Sequence, residues 1–136
     1  TDNHLMLVDV TPFGLTGRQA ESAVREAHVT LNRNSLPFDA NGPWYTSGLR
    51  IGSPGMTTLG MGKDEMREIA SVLNLVLANT RPTTIMKGKN AGQLSKARYK
   101  VDSVALDEAR GRVANLLDCY PVYPELDLEY LQTSFG

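Results

Sequence analysis

The fold is decided by residues 5–28, LMLVDVTPFGLTGRQAESAVREAH. The first six of these residues are apolar except for one aspartate, which predicts a β-strand buried on both faces. A proline and a glycine then end the strand, and Thr16 and Gln19 form the T-x-x-Q pattern of a helix capping box. Small apolar residues recur at helical spacing after the box, so we predict a helix over 17–27 that lies close to a sheet.

Further strands and helices follow along the chain. Short apolar runs predict strands at 29–31 and 49–51. An apolar stripe with acidic residues in its first turns predicts a helix over 63–79, and a second stripe predicts a last helix at 102–118. This order of elements predicts an α+β domain, in which a small, mostly antiparallel sheet has helices packed on one face.

Charge divides the chain into three parts, although the net charge is only −1. Residues 1–79 carry six basic and eight acidic side chains, residues 80–100 carry six basic and no acidic ones, and the remainder carries two basic and seven acidic ones. We therefore predict a domain over 1–79, a basic flexible insertion over 80–101, and a helix with a docking tail over 102–136. That tail contains the apolar residues Leu126, Leu128, Tyr130 and Leu131.

Composition and motifs exclude several classes of protein. The net charge gives no overall field for nucleic acid or a membrane surface, and no apolar run is long enough to span a bilayer. The single cysteine, Cys119, excludes an internal disulfide and fits a reducing compartment, so we expect a cytoplasmic protein. Sequence motifs for nucleotide, zinc-protease and serine-hydrolase sites are absent, and His4, His28 and Cys119 are too few to predict a metal site. For His4 we expect a structural role.

Arg50 is the first candidate for a binding role. It lies in the middle of the predicted strand in T-S-G-L-R-I-G at 46–52, where a buried guanidinium must find an anion. Its planar fork matches a carboxylate with two parallel hydrogen bonds. The alternative is a structural ion pair with an acid of the same domain, and the residues alone do not separate the two.

Two polar stretches have alternatives of the same kind. Asn34 lies in a stretch over 32–47 where the regular pattern breaks, and it precedes a loop that is too apolar for simple solvation. Its amide suits the edges of a polar ring, and the alternative is turn chemistry alone. The basic run is suited to phosphates or a polyanionic tail, but its one interleaved aromatic residue, Tyr99, makes a solvated loop the simpler interpretation. The side chains of that run are Lys87, Lys89, Lys96, Arg98 and Lys100.

Five motifs in fixed order make the sequence recognisable. They are T-D-N-H-L at 1–5, L-T-G-R-Q-A at 15–20, N-R-N-S-L-P-F-D at 32–39, T-S-G-L-R-I-G-S-P at 46–54 and M-G-K-D-E-M-R-E-I-A at 61–70. Together they closely resemble the C-terminal domain of serine hydroxymethyltransferase (glycine hydroxymethyltransferase). The resemblance covers 1–79 almost without gaps and fades over 80–100. It returns weakly in the final helix and in C-Y-P-V-Y at 119–123.

The resemblance implies a transferase of one-carbon metabolism and amino-acid biosynthesis with the aspartate-aminotransferase fold type. Such enzymes use pyridoxal phosphate to interconvert serine plus tetrahydrofolate and glycine plus 5,10-methylenetetrahydrofolate. The Schiff-base lysine and the cofactor's other contacts belong to a large domain upstream, so the resemblance implies no catalytic and no cofactor-binding residue in this chain. It also implies contact with that large domain and a homodimer or tetramer for the full-length protein.

Site residues follow from the resemblance position by position. Arg50 matches the arginine that binds the carboxylate of the substrate amino acid, and Asn34 matches the asparagine that touches the pterin ring of folate. Gly42, Pro43 and Trp44 occupy the loop that meets the folate, where many relatives have Ser-Pro-Phe.

Two classes of protein stay open. The first is the enzyme: the chain begins at Thr1, and we expect it to be a piece of a longer polypeptide that is inactive alone. The substrate of that enzyme would be serine or an α-methylated serine. The other class is a free-standing, non-catalytic domain of the same fold that binds a carboxylate ligand or a partner chain.

Overall fold

The computed structural model describes residues 1–126, 130, 133 and 134. Among these residues no helix has both the length and the apolar character needed to cross a membrane. The predicted α+β domain is confirmed, because helix α1 (Gly17–Glu26) packs against an antiparallel three-stranded sheet. The strands of this sheet lie in the order β1-β3-β2 and are β1 (Leu5–Asp9), β2 (Asn32–Asn34) and β3 (Gly48–Gly52).

The second strand lies three residues later than predicted. Residues 29–31 leave the end of α1 instead, since His28 has a φ of +64° and the N–H of Val29 donates to the carbonyl of Val24. Leu31 is buried in the core, which explains its apolar character without a strand. The apolar run therefore marks the connection after α1, in which Leu31 is buried, and periodicity over three residues does not distinguish such a connection from a strand.

Burial of β1 on both faces is also wrong. Leu5, Met6 and Leu7 are 40–49% exposed, whereas Val10, one residue beyond the strand, is fully buried. Because β1 is an edge strand and helices cover only one face of the sheet, much of its apolar surface is open in this chain.

The helices agree with the sequence patterns. The capping box at Thr16 and Gln19 is formed, and the long helices are α4 (Lys63–Ala78) and α5 (Ser103–Cys119), with Asp102 as the N-cap of α5. Two short helices, α2 (Gly42–Tyr45) and α3 (Pro54–Thr58), flank β3. The core joins α1, β3, α4 and α5 through Val10, Ala20, Ala23, Val24, Leu49, Val72, Val76 and Ala109.

Residues 80–101 form a β-hairpin rather than a linker without regular structure. Strands β4 (Thr80–Thr84) and β5 (Leu94–Val101) pair antiparallel, with an irregularity in the register near Pro82. The hairpin packs against α1, and the Gln19 side-chain amide donates to the carbonyls of Ser95 at 2.7 Å and Arg98 at 2.9 Å. The glycines and lysines of the turn give the segment a composition typical of a loop, so composition alone does not predict the two strands.

The division of the chain into three parts stays a prediction. In the predicted docking tail, Leu126 and Tyr130 are exposed. Leu128 and Leu131 lie outside the described residues.

Candidate functional site

Arg50 projects from the sheet face that α1 does not cover. Its neighbours Leu49 and Ile51 pack into the core, and alternation along a strand directs Arg50 the other way. The side chain is exposed, so our expectation of a buried guanidinium is wrong for this chain; a strand with one covered face gives no such burial. Its Nη2 donates to Oδ1 of Asn32 on β2 at 3.3 Å.

Arg50 takes part in no ion pair within the part of the chain that the structure describes. A structural ion pair, which was the alternative to a ligand role, is therefore not observed there. An exposed guanidinium held by one amide oxygen keeps most of its five N–H donors for an incoming carboxylate.

Asn34 lies on the same sheet face as Arg50. The register pairs Asn32 with Arg50 and Asn34 with Gly48, so the two asparagines and the arginine share one face of adjacent strands. In the described part of the chain, the Asn34 side chain makes one hydrogen bond, from Nδ2 to the Ser35 carbonyl at 2.7 Å. This local bond fits turn chemistry, and it uses one of the two N–H donors.

Gly48 allows the loop after β2 to fold back over this face. A Cβ at Gly48 would lie 2.6 Å from Cδ2 of Leu36 and 3.0 Å from the carbonyl oxygen of Asn34. The half-buried Leu36 side chain fills that space instead. Any larger residue at position 48 would push the loop away from the side chains of Asn34 and Arg50.

Asp39 anchors the loop between β2 and β3, and sequence reasoning missed it. Its carboxylate accepts from the hydroxyl of Ser47 at 2.6 Å, and from the backbone N–H groups of Ser47, Asn41 and Leu36 at 2.7–3.1 Å. The Ser47 hydroxyl, followed by these backbone donors, lowers the pKa of Asp39 to about 2. The bond from the Asn41 N–H to the carboxylate two residues earlier forms an Asx turn, and the signal in the sequence is an aspartate within a loop, a residue type that favours such turns.

The structure separates Trp44 from Arg50 and Asn34. Trp44 is 61% exposed, and its ring centroid lies 5.1 Å from the guanidinium carbon of Arg18 and 5.7 Å from that of Arg33. Arg33 points to the helix side of β2, where its Nη1 contacts a carboxylate oxygen of Glu21 on α1 at 3.1 Å. Trp44 is thus on the helix side of the sheet, while Arg50 is on the open side.

Gly42 and Pro43 begin the short helix that carries Trp44. Gly42 has a φ of +67°, and no heavy atom lies within 4 Å of a Cβ built there, so the backbone conformation and not crowding favours glycine. Pro43 follows in the first turn of α2, where a missing N–H has no cost.

The expected structural role of His4 stays a prediction. The backbone carbonyl of His4 accepts from the N–H of Ser53 at 3.1 Å, and this bond ties the start of β1 to the end of β3. Cys119 is free and exposed, and no cluster of three potential metal ligands occurs among the described residues.

A cleft of about 720 Å³ opens beside Arg50. Its lining is mostly apolar and comes from α4, α5, β3 and the turn after α1. The polar residues that line it are His28, Thr30, Asn32 and Arg50, and no lysine is among the lining residues.

Comparisons with known proteins agree with one another. The family model for serine hydroxymethyltransferase matches residues 1–73. The chain is 50% identical over 135 residues to a serine hydroxymethyltransferase of Treponema pallidum (strain Nichols), covering 99% of this chain and 23% of that protein. It is 46% identical over 129 residues to one of Salinispora tropica and 47% identical over 134 residues to one of Chlamydia pneumoniae; these alignments cover 94% and 96% of this chain, and 26% of each relative.

The chain thus spans about a quarter of the length of the curated relatives it matches. Alignments that cover 94–99% of this chain also include most of the stretch over which the motif resemblance fades. The motifs, the fold and these matches lead to one assignment: the chain belongs to the serine hydroxymethyltransferase family and corresponds to its C-terminal part.

Proposed function

We propose that this chain is the C-terminal part of an enzyme that interconverts serine plus tetrahydrofolate and glycine plus 5,10-methylenetetrahydrofolate. Its role is to bind and orient the two substrates. The family assignment and the placement of two polar site residues on one open sheet face support this proposal. The full-length protein would be a dimer or tetramer in the cytoplasm, which the resemblance and the lone cysteine support.

Arg50 carries the proposal. We assign to it the carboxylate of the amino-acid substrate, because its guanidinium is exposed, fixed by Asn32 and without an acidic partner among the described residues. Two parallel hydrogen bonds to the carboxylate fix the orientation of the substrate's α-carbon. Such fixed orientation is a large part of how an enzyme lowers a reaction barrier.

Asn34 and the loop after it are assigned to tetrahydrofolate. The Asn34 amide offers both a donor and an acceptor to the edge of the pterin ring. Gly42, Pro43 and Trp44 are assigned to other parts of the folate on the resemblance, and the separation of Trp44 from Asn34 means that the two contact different portions of the molecule. Asp39 is a positioning residue, since its hydrogen bonds hold the backbone between these groups.

Pyridoxal phosphate is assigned to the rest of the longer polypeptide. The cofactor needs a lysine in its pocket, but the lysines of this chain are exposed and none lines the cleft beside Arg50. When bound, pyridoxal phosphate serves as an electron sink for bond changes at the α-carbon. The residues described here fit substrate binding and do not fit a cradle for the cofactor.

The test is Arg50→Lys in the full-length protein, because lysine keeps the charge but not the two-pronged contact. We expect kcat/KM for serine to fall by about 30- to 1,000-fold, equivalent to roughly 2–4 kcal/mol. The melting temperature should barely change, since exposed side chains without strong partners contribute little to stability. Arg67→Lys, an exposed arginine on α4, is the matched control and should leave both quantities unchanged. A lower melting temperature with an unchanged KM for serine would contradict the assignment.

A further inference from the structure

Asn32 holds the guanidinium of Arg50 from the neighbouring strand. The register places Asn32 on β2 directly opposite Arg50 on β3, and directly opposed side chains lie on the same face of a sheet. Oδ1 of Asn32 accepts from Nη2 of Arg50 at 3.3 Å. Within the described residues this is the one hydrogen bond of the Arg50 side chain, so the amide of Asn32 sets the direction in which the guanidinium points.

The chemistry of the two groups determines how the amide is turned. A guanidinium has five N–H donors and no acceptor, so the Asn32 oxygen must face Arg50 and the amide nitrogen must face away from it. The contact occupies one N–H of Arg50 and leaves the other donors open. Asparagine is also neutral, so it restrains the guanidinium without cancelling its charge.

The surroundings of Arg50 leave that charge uncompensated. None of the described residues that line the adjoining cleft is acidic. An aspartate in place of Asn32 would stabilise the pair of strands better, because opposite charges at directly opposed positions attract each other across a sheet. Stability of the sheet therefore does not explain the neutral amide at this position, whereas a guanidinium kept ready for an external carboxylate does.

We propose that Asn32 is a positioning residue for the carboxylate of the amino-acid substrate. Its amide orders the Arg50 side chain before the substrate arrives, and ordering a long side chain in advance removes part of the cost of binding. Its neutrality keeps the guanidinium out of an internal ion pair that the substrate would have to break. The inference rests on the proposed function, because it adds a residue to the carboxylate site of Arg50.

Two substitutions in the full-length enzyme separate the hydrogen bond of Asn32 from its neutrality. Asn32→Ala removes the hydrogen bond, and we expect KM for serine to rise about 3- to 10-fold, the effect of one such bond. Asn32→Asp supplies a competing carboxylate, and KM for serine should rise about 10- to 100-fold, since hydrogen bonds to charged groups are stronger. In both variants kcat should stay within about twofold of the wild type, because a bound carboxylate orders the guanidinium itself. The matched control is Asn74→Asp on the exposed side of α4, which adds the same charge and should leave KM for serine unchanged.

A double-mutant cycle tests whether Asn32 acts through Arg50. An Arg50→Ala enzyme has no guanidinium to hold, so adding Asn32→Ala should change its kcat/KM for serine by less than about twofold. A larger loss in that background would mean that Asn32 contacts the substrate directly, and it would overturn the positioning role.

Two other results would also overturn the inference. One is an Asn32→Asp enzyme with the wild-type KM for serine. The other is an Asn32→Ala enzyme with a lower melting temperature and an unchanged KM for serine, which is the result expected of a merely structural residue. An Arg50→Ala enzyme that keeps the wild-type kcat/KM for serine would instead mean that the proposed function itself has failed.

Discussion

Replacing Gln19 tests how the hairpin is attached to the domain. The Gln19 side chain is 1% exposed and makes three hydrogen bonds: Oε1 accepts from the N–H of Thr16, and Nε2 donates to the carbonyls of Ser95 and Arg98. Gln19→Met preserves the approximate volume and removes every one of them. Three backbone groups then lose a partner, two in the buried residues Thr16 and Ser95 and one in the exposed residue Arg98, at about 1 kcal/mol each. The free energy of unfolding should therefore fall by about 3 kcal/mol.

The assay is urea and thermal unfolding of the chain. A loss of that size corresponds to a melting temperature lower by about 10 °C. Gln93→Met is the matched control, because Gln93 lies exposed in the hairpin turn, and it should change the free energy of unfolding by less than about 0.5 kcal/mol.

Gln19→Glu separates hydrogen bonding from packing. The carboxylate retains an acceptor for Thr16 but places negative charge against the carbonyls of Ser95 and Arg98, which raises its pKa in the folded state. Its penalty should be smallest below the unfolded-state pKa of about 4.3, where both states are protonated, and should increase as the pH rises. A loss below about 1 kcal/mol for Gln19→Met, or a Gln19→Glu chain as stable as the wild type at pH 7, would refute the reasoning.

Three further outcomes follow from the fold and the site. The isolated chain should fold, as judged by a cooperative thermal transition, yet show no turnover of serine with pyridoxal phosphate; measurable turnover would contradict the proposed division of labour. Trypsin should cut first in the exposed hairpin turn, at Lys87 or Lys89, as mass spectrometry of the early fragments will reveal; initial cleavage within α4 would contradict the fold. Asp39→Ala should lower the melting temperature and raise KM for tetrahydrofolate. The wild-type stability from Asp39 should be present above its ordinary pKa of 3.8 and lost as the pH falls toward about 2, whereas the alanine variant should lack that dependence.

Sequence patterns predicted the features that depend on residues close together in the chain. Thr16 and Gln19 are three residues apart, so their spacing predicted the capping box. The contact from Gln19 to Ser95 joins positions 76 residues apart, and no sequence pattern marks it. The hairpin was missed for this reason. Contacts with α1 stabilise its strands, although their composition is typical of a loop.

The sequence singled out the candidate site residues, whose roles stay predictions, but it did not predict how exposed they are. Motif order singled out Arg50 and Asn34, and the sheet places them on one face. Whether that face is covered depends on which side the helices pack, and alternation within L-R-I alone does not reveal it. The same limit applies to Trp44, whose position follows from the course of the loop anchored by Asp39.

Trp44 gives the chain an intrinsic optical reporter. It is the sole tryptophan in the 136 residues, and it lies against two guanidinium groups on a short surface helix and outside the core. Indole emission depends on nearby charge and solvent, so fluorescence of this chain senses events at α2 before it senses global unfolding. An anion that draws Arg18 or Arg33 away from the ring should therefore shift the emission, and ligand titrations need no added label.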